Sequence, residues 1–196
     1  MNNRVQIVLF FNKNEFYKPS KIAALISEKI EEIGSPIILP VDGAPAEANF
    51  PIIVFSQNNK INLTSNFNNV SITLVDDMAD KWKKIIENLY EIFDDNEFVR
   101  IGTVFTTILP EDKISDIKSE TNCSESIIDS KDFKISWLTE IDINDTKVNM
   151  WKNYFSDKSQ SNSIICVYDF NTKPQEIIDV SKDFAIKFIE QCKEKM

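Results

Sequence analysis

The chain of 196 residues carries 22 basic against 31 acidic side chains, a net charge of −9, with 42% hydrophobic and 11% aromatic residues and no histidine. A chain of this length buries about 70% of its unfolded surface. Its 14 Phe and 3 Trp exclude a disordered chain, while only 3 Gly and 7 Pro exclude a loop-dominated scaffold. The acidic surface has no concentrated basic patch, since Lys81, Lys83 and Lys84 are fenced by Asp76, Asp77 and Asp80, so nucleic acid is excluded as an expected partner.

The first predicted element is a strand over 5–11, near-continuously apolar from Ile7 and therefore expected to be buried on both faces. Its apolar run is too short for a signal peptide and lacks a small-residue cleavage site. No segment reaches the roughly 18 apolar residues of a membrane helix, so the expected setting is cytoplasmic, with no membrane partner. Pro19 and Ser20 open a predicted helix over 21–33 with Ile22, Leu25, Ile26, Ile30 and Ile33 on one face and Gly34 as its stop. The proline-rich stretch that follows leaves room for a short edge strand over 37–41.

Three β-rich runs come next, separated by Gln57-Asn58-Asn59 and by Asn66-Phe67-Asn68-Asn69. Asparagine tolerates the left-handed backbone of tight hairpins, so an antiparallel meander is predicted. Ile61, Leu63, Val70, Ile72 and Leu74 alternate with polar residues and should line its buried face. Asp76, Asp77 and Asp80 complement the dipole of a helix whose apolar side is Met78, Trp82, Ile85, Ile86, Leu89, Ile92 and Phe93.

The run 96–110 is read next as a long strand, with Val99, Ile101, Phe105 and Leu109 assigned to one face. Phe98, Arg100, Gly102, Val104, Thr106 and Ile108 are assigned to the other, which suits contact with another sheet, another subunit or a ligand. The polar, serine-rich stretch 111–132 reads as a linker or mobile loop between a first half, 1–110, and a second, 133–196, of one compact domain. The second half holds a predicted hairpin, 133–143 and 147–155, a strand over 161–170 and a helix over 174–193. The expected fold is α+β, two β-rich units of mostly antiparallel strands, each followed by a packing helix.

The helix before Arg100-Ile101-Gly102 and that strand together resemble a sporadically distributed family of uncharacterised bacterial proteins, over about residues 50–110. The aromatic that usually follows the glycine is matched by Phe105, and the usual second arginine has no counterpart. The resemblance implies no activity.

The catalytic inventory is short. Without histidine the usual general base and metal ligand are missing. Gly34, Gly43 and Gly102 cannot assemble a phosphate loop, and Cys123, Cys166 and Cys192 lack metal-site spacing, the latter two reading as core residues. No cofactor or metal is expected. Asp142, Asp145 and Asp169 are candidate carboxylates, read as turn and capping residues.

The favoured reading is a non-enzymatic interaction protein, a homodimer or a binder of a protein partner, with Arg100, Gly102, Trp151, Tyr154 and Phe155 as its interface. The alternative is an acidic inhibitor or nucleic-acid mimic from a phage or mobile element. A metal-dependent carboxylate hydrolase ranks third. Arg100 is expected to pair with a carboxylate, because an unpaired buried charge is costly, against a competing view in which it grips an anionic ligand. Gly102 is expected to leave room for a close neighbour.

Overall fold

The computed structural model describes residues 4–12, 18–31, 33–39, 52–57, 60–93, 98–109, 117, 133–156 and 164–196. The strands are β1 (Arg4–Phe11), β2 (Pro36–Leu39), β3 (Ile52–Gln57), β4 (Ile61–Ser65), β5 (Asn69–Val75), β6 (Phe98–Leu109), β7 (Lys134–Ile143), β8 (Thr146–Ser156) and β9 (Ile164–Thr172). Among the described residues there are also α1 (Pro19–Lys29), a 3-10 segment (Asp76–Lys81) leading into α2 (Trp82–Ile92), and α3 (Lys182–Glu194). The nine strands of the described residues form one antiparallel sheet in the order β2-β3-β4-β5-β1-β6-β9-β8-β7. The expected antiparallel α+β character is present, in a protein that is mostly β and whose sheet is continuous. The meander β2–β5 and the meander β7–β9 flank β1 and β6, the central pair.

Helices α1, α2 and α3 lie side by side on one face of the sheet, with α2 between α1 and α3. Strand parity therefore sorts the chain into a covered and an open face. In β1, Val5, Ile7, Leu9 and Phe11 are buried under the helices, while Gln6, Val8 and Phe10 are half-buried on the open side. Burial on both faces, expected for β1 from its apolar run, is thus corrected, because no second layer of described residues covers the open side. Ile61, Leu63, Val70, Ile72 and Leu74 are all buried, as is the apolar side of α2.

A β-bulge changes the reading of β6. Phe10 pairs with Arg100 but Phe11 pairs with Phe98, so Val99 is an extra residue. The extra residue reverses parity, and Phe98 turns to the covered side instead of accompanying Arg100. There its ring sits 5.0 Å from Phe11 and 5.0 Å from Tyr90, separations typical of favourable aromatic pairs.

The same bulge explains why the last helix is short. The Ile178 and Val180 N–H groups donate to the Val99 and Phe98 carbonyls at 3.2 and 2.9 Å, holding that segment extended beside β6. The helix then starts at Lys182 behind the Ser181 cap, whose Oγ accepts from the Phe184 N–H at 3.2 Å. Ile177, assigned to the helix by periodicity, is 73% exposed. α1 likewise stops at Lys29, with Ile30 already extended, so Gly34 at φ 78° belongs to the following turn and is not the cap.

The turns use two different devices. Asn66 Oδ1 accepts from the Asn68 and Asn69 N–H groups at 2.8 and 3.0 Å, an Asx turn that needs no left-handed residue. Asn144 and Asp145, at φ 52° and 59°, make the two-residue hairpin between β7 and β8. Of the stretch 111–132, only Ile117 is described, as a buried core residue, and the linker expectation otherwise lies outside the described residues.

Candidate functional site

The open face of β1, β6, β9, β8 and β7 presents transverse rows set by the register. One row runs Val8, Gly102, Asn171, Asn149, Glu140. The next runs Gln6, Val104, Asp169, Trp151, Leu138. Arg100 lies opposite Phe10.

These rows bring Arg100, Gly102, Trp151 and Phe155 of the sequence-predicted interface onto one face. Tyr154 is separated from them by parity and is buried under the helices beside Cys166. The aromatic crowding of "MWKNYF" thus divides between two environments.

The Arg100 guanidinium lies over the Phe10 ring, 4.4 Å from its centroid. Among the described residues this ring, and no carboxylate, is its partner, and the buried Nε has no hydrogen-bond partner. Gly102 leaves the room the sequence suggests, and the Asn171 carboxamide fills it. A Cβ at residue 102 would overlap Asn171 Oδ1. Asn171 Nδ2 in turn donates to Asp169, whose pKa burial raises above the ordinary 3.8 while that hydrogen bond pulls the other way.

At the β7 side, Lys173 pairs with Glu140, and Lys147 with Asp142 at 2.9 Å and Glu140 at 3.8 Å. The Lys173 hydrogen bond holds the Glu140 carboxyl below its usual value. Asp142 and Asp145 are therefore an ion-pair partner and a turn residue, with Asp169 alone among the three carboxylates in a desolvated setting. No three His, Cys, Asp or Glu side chains converge as metal donors among the described residues. Cys166 and Cys192 are buried, and burial pushes the Cys192 thiol pKa up, which suits an inert core role. Cys123 lies outside the described residues.

Among the described residues, three large apolar side chains on the open face stand well out in solvent: Ile37 of the edge strand β2, 58% exposed, and Leu138 and Trp151, 49% and 42% exposed, which face each other across β7 and β8. Leu138 was not singled out by sequence, because its exposure depends on β7 being an edge. Lys152 was missed as well. It is 8% exposed on the covered side, its Nζ 5.6, 5.5 and 5.1 Å from the ring centroids of Trp137, Tyr154 and Tyr168. The alternation Trp151-Lys152-Asn153-Tyr154 carried a signal for that placement, since Lys152 shares parity with Tyr154.

Compared with known proteins, the chain matches no family model and no curated protein. No helix among the described residues is long and apolar enough to cross a membrane.

Proposed function

We propose that this chain is a non-enzymatic interaction protein whose working surface is the β7–β8 end of the open sheet face. The observation that carries the reading is the exposed Leu138–Trp151 pair on a face that no described helix covers. Trp is enriched where protein surfaces meet, because it contributes a large contact area with few rotatable bonds. The ion pairs of Lys147, Lys173, Glu140 and Asp142 beside it make a polar rim of the usual kind. In this reading β2–β5 with α2 and β7–β9 with α3 are two units joined through β1 and β6, and the second unit carries the contact surface.

The test compares the unmodified chain with Trp151→Ser. Light scattering over micromolar concentrations should show self-association that weakens in the variant, or capture from host extract should retain a protein that the variant releases. A monomer that retains nothing in a Trp151-dependent way overturns the reading.

A further inference from the structure

The two edges of the sheet are unlike. β2 spans four residues and begins with Pro36, which has no N–H to offer a neighbour. β7 spans ten residues without a proline, and all of them except Ile143 are exposed or half-buried. The two-residue turn at Asn144 and Asp145, with both φ positive, makes Ile143 and Thr146 a hydrogen-bonded pair. Alternation along the ladder then aims the peptide groups of Ile135, Trp137, Thr139, Ile141 and Ile143 at β8. Those of Lys134, Ser136, Leu138, Glu140 and Asp142 point outward, where no described strand lies. An open row of this length is a template for another strand.

We infer that this edge is completed by β7 of a second copy, running antiparallel about a two-fold axis through Leu138. The inference rests on the interaction reading above and names its partner. The register is what singles out a second copy. With the axis at Leu138, Lys134 lies opposite the partner's Asp142, and Ser136 opposite the partner's Glu140, so opposite charges and a donor with a carboxylate meet on the open side. On the helix side Ile135 meets the partner's Ile141, and Trp137 the partner's Thr139. Leu138 meets its own symmetry mate, and because Trp151 already flanks it in β8, the two Trp151–Leu138 pairs merge into one apolar strip across the junction. Only shifts by two residues keep outward peptide groups paired. Those shifts set Leu138 against the partner's Ser136 or against the partner's Glu140, and each breaks the apolar strip. A two-fold contact of this kind uses the same surface on both copies and closes at a dimer.

Single cysteines test the register in a full chain carrying Cys123→Ser, the buried Cys166 and Cys192 being left in place. Mild oxidation should join Leu138→Cys chains to each other. Ser136→Cys and Glu140→Cys chains should stay single when alone and join when mixed. Light scattering should give a dimer for the unmodified chain. Leu138→Lys, which puts like charges on the axis, should give a single chain that still unfolds cooperatively, with a melting temperature that no longer depends on concentration. A dimer that ignores Leu138→Lys and does not join at residue 138 overturns the edge pairing while leaving the interaction reading standing. A monomer at every concentration overturns the edge pairing too, and the Trp151-dependent capture then decides the broader reading separately.

Discussion

Lys152 and Trp151 are neighbours on β8 in reversed surroundings. The lysine is 8% exposed beneath three aromatic rings, and the tryptophan is 42% exposed on the open face. Hydropathy alone would exchange them. Strand parity overrides it, because successive side chains of a strand must take opposite faces. The covered face accommodates the lysine by laying its methylene stem along apolar surface and its ammonium within reach of the ring faces of Trp137, Tyr154 and Tyr168. On the open face Trp151 lies directly between Leu138 of the edge strand and Asp169 of β9. One region encloses a polar side chain within the chain's own rings, and the other leaves a large apolar side chain exposed.

The comparison breaks first if the covered face is not the source of stability. Phe170 is fully buried there, its ring centroid 6.1 Å from Phe105 and 6.5 Å from Tyr168. Phe170→Ala should cost about 3–5 kcal/mol in urea unfolding, and a loss below 1 kcal/mol would place the core elsewhere.

Lys152→Ala should cost about 2 kcal/mol, the scale of a desolvated cation over aromatic rings. Lys152→Met should recover part of this, since the unbranched thioether refills the space and favours ring contact. Trp151→Ser should leave the stability of the single chain within about 0.5 kcal/mol. Equal losses for Lys152→Ala and Trp151→Ser would erase the distinction between the two faces.

Gly102→Ala sharpens the open face further. In the natural background the new methyl displaces the Asn171 carboxamide and disturbs its bond to Asp169, so the chain loses stability. In an Asn171→Ala background the same change should stabilise by about 0.5–1 kcal/mol, because alanine restricts the unfolded chain more than glycine. Melting curves of the four combinations give the sign directly, and an unchanged sign would show that the two residues do not compete for space.

The smallest effect concerns Asp169. Burial raises its native pKa above the ordinary 3.8, so the native state holds this proton more tightly than the unfolded chain. The contribution is therefore full below the unfolded pKa and is lost as pH rises through the raised native value. Asp169→Asn should melt slightly above the parent at neutral pH, and the difference should shrink as the medium is acidified through the carboxylate range. A gap that widens on acidification would show that the ionised form is the stabilised one.

Local pattern determined much of this architecture. Alternation placed Ile61, Leu63, Val70, Ile72 and Leu74 inside, helical spacing placed the Met78 to Phe93 set, and the short asparagine-rich turns required antiparallel neighbours. These features follow from side-chain direction, which repeats every two residues in a strand and every 3.6 in a helix. Features that depend on partners distant in the chain were decided only by the assembled sheet. The bulge opposite Phe10 and Phe11 turned Phe98 inward and captured Ile178 and Val180, which postponed the last helix to Lys182. The register of β8 on β7 and β9 made a ring cage of Trp137, Tyr154 and Tyr168 around Lys152, and separated Tyr154 from Trp151 and Phe155. The order of strands left β7 at an edge and exposed Leu138. Register and edge position are set by which strands find each other across the whole chain, and no short window of residues contains that information.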